Sequence, residues 1–559
     1  MPDLAKRQNP LQNFLHSAWL PIFLLVLPTI FLYGKFLWNP VLFDDVYFFD
    51  GSVHGQYLGT VFSFSLRWLP YATFEWTRAL LGLDLIWFHL GNLALHVANI
   101  VLLFLFLRRL FEVVLPADSS AASNPNSVNM LSPPWLAFFG ALIFALHPAA
   151  VYAVAYISQR STLMATFFTL LMWSLFLKGL VQRKPFWLVA SAVAYFFAVL
   201  SKEHAIMAPT VAAALFFLVH KPTRPLLVQV LPAFVLYGLS GAFVIYQVKS
   251  GHILGQAYEP FGLDMLSRLA KIDPGFDRSL AYPLSILTQS FLFFKYLLVW
   301  IIPSPAWMSV DMYEDFAMRL WSWPQVAGLV GFVLYAMVAV RLLLQRGVNG
   351  LFGIAMLCPW LLFATELSTI RIQESFVLYR SYLWMVGAVA ALPFLLQKLS
   401  AKRATVLLTI IALVMIPLSL IRLTTFTHPL LLWDDAARLL EGKEGRPGVE
   451  RVYHNRGIEL SRLKHYQEAI EDYTKAITIY PEYSYAYSDR GAAYLELKQY
   501  PLALADFNKA IELNPKPYRP YLGRGLVYES LGNPGDARKD FEKSCLLGAA
   551  RGCQKLGSH

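Results

Sequence analysis

Apolar residues along the first three quarters of this chain gather into long runs, not into the spaced stripes of a soluble helix. Runs near 17–37, 85–107, 134–156, 162–180, 185–200, 204–219, 226–247, 324–344, 350–367, 376–396 and 404–423 are separated by short polar stretches. A bilayer core about 30 Å thick takes roughly 20 apolar residues in a helix. The pattern therefore predicts an all-α body with about 11 membrane-spanning helices. A further run, 286–302 (SILTQSFLFFKYLLVWI), is short and carries Lys295 at its middle. After residue 440 the pattern becomes that of ordinary amphipathic helices. The expected division is a membrane body at 1–426, a linker at 427–450 and a soluble domain at 451–559.

Composition agrees with this division. The chain of 559 residues is 57% hydrophobic and 15% charged, with a mean hydropathy of +0.48. A soluble protein of this size could not hide so much apolar surface. The net charge of +11 reads as Lys and Arg flanking the spans and not as a nucleic-acid surface. The first apolar run is too long for a cleaved signal and lacks a small-residue cleavage site, so it reads as a retained span.

Charge placement orients the spans. With Lys6 and Arg7 in the cytoplasm, alternate loops carry Arg108 and Arg109, then Lys178, Arg183 and Lys184, then Lys221 and Arg224. If 286–302 does not cross, Arg341, Arg346, Lys398, Lys402 and Arg403 fall on the same side, as the positive-inside tendency requires. The run is therefore expected to be re-entrant or interfacial. An odd number of crossings then places the C-terminal domain in the periplasm of a bacterial inner-membrane protein.

From 451 the sequence repeats every 34 residues, in units 451–484, 485–518 and 519–552. Gly457, Gly491 and Gly525 are in register, as are Ala469, Ala503 and Ala537, where small residues let two helices of a hairpin approach. Tyr453, Tyr487 and Tyr521 fill the space between layers, and Pro481 and Pro515 end second helices. This is the tetratricopeptide-repeat (TPR) pattern of an α-solenoid, whose groove commonly takes peptides or proteins. Cys545 and Cys553 could pair in an oxidising compartment, but two unpaired thiols are the expectation.

Candidate chemistry lies at one membrane face. Asp44 and Asp45, in FDDVYFFDGSVHG, follow the first span, and paired carboxylates there can serve as a general base towards an acceptor hydroxyl. Arg160, Lys202 and Arg380 are placed to clamp a donor phosphate. Glu203, His204, Arg371, Glu374, Tyr379 and Asp311 are candidate substrate contacts. Taken alone, each of these groups reads more readily as an interfacial anchor, and the Asp44–Asp45 pair equally as a helix cap with a solvated loop; it is their convergence on one face that points to a site. Glu366 is a site residue or an interfacial charge. His89, Asn92, His96 and Asn99 share a helix face and read as a polar packing seam, and His147-Pro148 reads as a kink. With no HExxH or CxxC spacing, no metal is expected. With no Walker A and no GxGxxG, ATP-driven transport and nucleotide-sugar use have no support, and no cofactor is expected.

The ordered set of the acidic first loop, FHLGNLALH, FALHPAAVYAVAYISQRSTLMA, LSKEHAI and LYRSYLW resembles the transmembrane and tetratricopeptide-repeat O-mannosyltransferases and their bacterial relatives. These are glycosyltransferases of the GT-C class. The carrying positions are His147, Pro148, Val151 and Arg160, with Tyr379, Arg380, Tyr382 and Leu383. The resemblance implies a GT-C-like fold, a polyprenyl-phosphate donor of the undecaprenyl type, and metal-independent inverting transfer assisted by Asp44 or Asp45. The implied acceptor is periplasmic, such as a pilin-like protein met by the repeats. Two departures stand against carrying mannose over: the repeat array is short, and Ser161 and Thr162 stand where an acid often follows the arginine. A ligase or polymerase of lipid-linked glycans and a non-enzymatic scaffold for envelope or pilus assembly are the alternatives. Membrane lipid is an expected partner and nucleic acid is not.

Overall fold

The computed structural model describes residues 19–42, 45, 49, 65–115, 130–250, 254–257, 259 and 261–557. Among these the chain is helical, with no strand, and it divides into two compact units. The first comprises residues 1–262, 276–308 and 316–428. The second comprises 263–275, 309–315 and 429–559.

In the first unit seven helices are long and apolar enough to cross a membrane, or up to nine if each of two bent pairs is one span. This is the make-up of a multi-pass membrane protein. The first bent pair, Pro133–Leu146 with Pro148–Val154, turns by 54° at His147-Pro148. Pro148 has no N–H to continue the ladder, and the His147 ring instead accepts the Ala149 N–H at 3.1 Å. Trp19–Gly34, Pro185–Ser201 and Glu203–Val219 are shorter apolar helices. The polar seam packs as its phase predicts. Asn92 donates to the carbonyls of Tyr156 (3.1 Å) and Ile157 (3.2 Å), Asn99 donates to Leu163 (3.0 Å), and His96 meets the Tyr382 hydroxyl (2.7 Å). In an apolar body these bonds prevent the cost of stranded polar groups.

The helix Ala281–Ile301 has an unusual neighbour. The backbone of Gly328 seats on Phe291 and Gly331 on the Phe294 ring, while Phe332 and Tyr335 lie against Phe293. Residue numbers rise together along both helices, so Ala281–Ile301 and Gln325–Gln345 are parallel. Neighbouring parallel helices require a connection that travels back over their length. Residues 302–324 do so. Arg422 donates to the Met308 carbonyl at 2.5 Å, the Phe316 ring returns to within 6.4 Å of Phe276, and the Ala317 N–H donates to Thr288 at 2.9 Å. Helix and return together begin and end at the same end of the bundle.

The second unit holds three helical hairpins, Glu450–Arg462 with Tyr466–Ile479, Ser484–Glu496 with Tyr500–Leu513, and Arg519–Ser530 with Pro534–Leu546. An added Cβ on Gly457 would lie 2.7 Å from the Tyr473 ring, and one on Gly525 2.7 Å from Phe541, so glycine there sets the closeness of the paired helices. Each hairpin carries one two-pronged ion pair, Arg456–Asp472, Arg490–Asp506 and Arg524–Asp540. Segment 427–450, expected as a linker, contains the helix Pro429–Leu440, which buries Leu432, Trp433, Ala436 and Leu440 within this unit. Two stretches from between the apolar helices also belong here. Arg268 and Glu450 form a buried pair, and Arg451 holds Asp311 at 2.7 Å. The expectation of unpaired thiols is corrected: Cys545 and Cys553 form a disulfide. The turn after Leu546 folds helix Ala550–Gly557 back, bringing the two Cα atoms to 4.8 Å.

Candidate functional site

The site is built where helices end. Helix Pro185–Ser201 stops at Lys202, whose backbone is extended, and a tight 3-10 turn, Glu203–Met207, follows. The change in backbone sends three consecutive polar side chains to different partners. Lys202 Nζ donates to Thr162 (2.8 Å) and Gln159 (3.3 Å) and lies 5.1 Å from the centre of the Tyr379 ring. Glu203 pairs with Arg67. His204 Nε2 meets Glu366 at 2.8 Å.

Glu366 sits in a second 3-10 turn, Ala364–Ser368, which ends the helix Gly347–Phe363. It is buried between Arg380 (3.1 Å) and Arg371 (3.2 Å). Arg380 also donates to the Glu374 carboxylate at 2.7 Å, and the Tyr379 hydroxyl reaches the same group at 3.3 Å. Arg371 lies 3.5 Å from Glu259, which accepts the N–H groups of Gln373 (3.0 Å) and Glu374 (3.3 Å). Burial raises the Glu259 carboxyl above its usual range, against the opposing pull of Arg371 and Arg380. Burial, with Arg67 nearby, lowers the Lys202 ammonium to about 7. Unpaired, any of these buried charges would cost several kcal/mol, about 3–5 when one partner is removed.

Of the residues singled out in the sequence, Lys202, Glu203, His204, Arg371, Glu374, Tyr379 and Arg380 meet in this network, with Glu366 as its hub. Asp45 adjoins it through the chain. It is buried and accepts the N–H groups of Ile157 (3.0 Å) and Ser158 (2.7 Å), next to the Gln159 that contacts Lys202. Asp44 lies outside the described residues. Arg160 is buried apart, donating to Asn92 (3.1 Å) and the Phe88 carbonyl (2.9 Å) under the Phe74 ring. Asp311 belongs to the second unit, with Arg451.

Arg67 and Glu259 were missed. Each stands alone in an apolar or turn-like stretch, LRWLP and YEPFG, with no periodic signal to mark it. Only the fold supplies their partners.

Part of the network lines a cavity of about 430 Å³. Arg67, Glu203, His204, Thr369 and Arg371 are its polar lining, while Ile206, Met207, Val244, Ile245, Val248 and Leu254 make much of its wall apolar. A pocket with a few charged groups in a greasy wall suits an amphiphile with an anionic head.

Residues 450–483 and 484–517 match the tetratricopeptide-repeat family model, so the chain contains tetratricopeptide repeats. No curated protein matches the chain. Among solved structures, an Arabidopsis OM64 TPR domain is 30% identical, over 20% of this chain and 95% of that one, with a TM-score of 0.19. The first TPR domain of Spaghetti (RPAP3), bound to an HSP90 peptide, is 28% identical over 20% of this chain and 88% of that one, with a TM-score of 0.19. The mycobacterial arabinofuranosyltransferase AftD covers 77% of this chain and 29% of its own at 14% identity, with a TM-score of 0.34.

Proposed function

We propose that this protein is a membrane glycosyltransferase that moves a sugar from a polyprenyl-phosphate-linked donor to a periplasmic acceptor, in protein O-glycosylation. The observation that carries the reading is a network of charged residues from four separate inter-helix segments, three of which supply Arg67, Glu203, His204 and Arg371 to the lining of one mainly apolar cavity. The apolar wall suits a lipid chain. The buried cations Arg371 and Arg380, joined by Lys202 when it is protonated, stabilise a departing phosphate through a low-dielectric interior.

In this mechanism the acceptor hydroxyl attacks the anomeric carbon from the face opposite the phosphate, which leaves with the bonding electron pair. A first-loop carboxylate takes the hydroxyl proton. Both Asp45 oxygens hold backbone N–H groups, so Asp45 ties the loop to residues 157–158 and Asp44 is assigned the proton. The Cys545–Cys553 disulfide supports an oxidising compartment for the repeats, and the recurrence of Arg108, Arg109, Lys178, Arg183, Lys221, Arg224, Arg341, Arg346 and Lys402 in alternate inter-helix segments supports a cytoplasmic side for those segments. Intact mass of periplasmic proteins from cells carrying D44N or D45N should show loss of the glycan while the variant remains folded. Unchanged glycosylation in both would end this reading.

A further inference from the structure

The cations that the sequence marks for an anionic head, Arg160, Lys202 and Arg380, are all buried and engaged by protein groups. Arg67 differs. It lines the cavity, and its side chain is 35% exposed. It donates from Nε to Glu203 Oε2 at 3.0 Å, with a second bond from the other prong of the fork. Glu203 is 24% exposed, and its Oε1 also lies 3.5 Å from His204 Nδ1. A carboxylate thus sits on the cavity wall between a guanidinium and an imidazole, where a ligand's anionic head would be received.

Among the described residues each guanidinium of the cluster already holds a carboxylate: Arg67 holds Glu203, Arg371 holds Glu259 and Glu366, and Arg380 holds Glu366 and Glu374. A phosphate can join them at low cost only by displacing a carboxylate. Of the four, Glu203 is the one whose cation is itself exposed. A guanidinium fork receives a phosphate with the same two-pronged geometry it gives a carboxylate.

We propose that Arg67 is the residue that grips the phosphate of an anionic amphiphile in this cavity, and that Glu203 is a built-in competitor holding the position until the headgroup arrives. The proposal rests on the cavity taking such a ligand, as in the function above.

The probes are farnesyl phosphate, farnesol and inorganic phosphate, titrated by microscale thermophoresis against the full chain in nanodiscs. Farnesyl phosphate should bind more tightly than either of the others. R67A should weaken it about tenfold or more, the usual scale for losing a charge-assisted pair, and leave farnesol unchanged. E203Q should tighten it several-fold. R67K, which keeps the charge but not the fork, should fall between and guards against a misfolded R67A. Equal binding of farnesyl phosphate to wild type and both Arg67 variants overturns the proposal, as does unchanged or weaker binding to E203Q. Inorganic phosphate binding as tightly as farnesyl phosphate overturns the amphiphile. If the Arg67 pattern holds while D44N and D45N still glycosylate, the transfer reading fails and the phosphate grip stands. The converse result separates them the other way.

Discussion

Lys202 shows how a residue's setting changes its chemistry. In the sequence it is a basic residue at a helix end; in the fold it is buried against Thr162, Gln159 and the Tyr379 ring. Burial and then Arg67 bring its pKa down from 10.5 to about 7. Between those values the unfolded chain holds this proton and the folded chain does not, so the group's contribution to stability rises as pH climbs from 7 towards 10. Thermal melts of the detergent-solubilised protein at pH 6.5 and 9 should show this rise in wild type and not in K202M. An equal rise in K202M would remove Lys202 as its source. The residue types were legible here, because Lys, Glu, His and Arg beside apolar runs announce themselves. Their pairing was not, since Glu366 is joined to His204, and Arg371 to Glu259, across separate segments.

At the scale of the element, the repeats were the most readable part. A 34-residue period puts glycine opposite an aromatic ring in every hairpin, and close helix packing then follows locally. The C-terminal helix Ala550–Gly557 was less so, because a repeat cannot state what caps its last member. The Cys545–Cys553 bond closes a short loop, worth on the order of 2–3 kcal/mol against the unfolded chain. Hydrogen exchange on full-length protein should quicken in 550–557 after reduction or in C553S, with little change in 484–513. Unaltered exchange in 550–557 would show that the helix is held by packing alone.

At the scale of the whole molecule the question is how the chain threads. Apolar length alone counts Arg278–Ile301 with the candidate spans. This helix packs parallel to Gln325–Gln345, and 302–324 returns to Thr288 and Phe276; we propose on this ground that the excursion is neutral for sidedness. Alkaline phosphatase fused after residue 275, 320 or 557 should be active in the periplasm, and fusions after 183, 222 or 346 inactive. Opposite results at 275 and 320 would make the helix an ordinary span and reverse the side of the repeats.

What the sequence determined by itself is whatever depends on neighbours along the chain: the apolar runs, the basic helix ends, the kink at His147-Pro148 and the repeat period. These rest on local hydrogen bonding, side-chain volume and transfer into an apolar phase. The tertiary structure decided whatever depends on which segments meet. It joined Arg67 to Glu203, Glu259 to Arg371 and Cys545 to Cys553, gave helix Gly262–Ile272 to the repeat unit through Arg268 and Glu450, and turned 302–324 back on itself. A buried charge is stable only beside its partner, and no local pattern along the chain records which distant residue that partner will be.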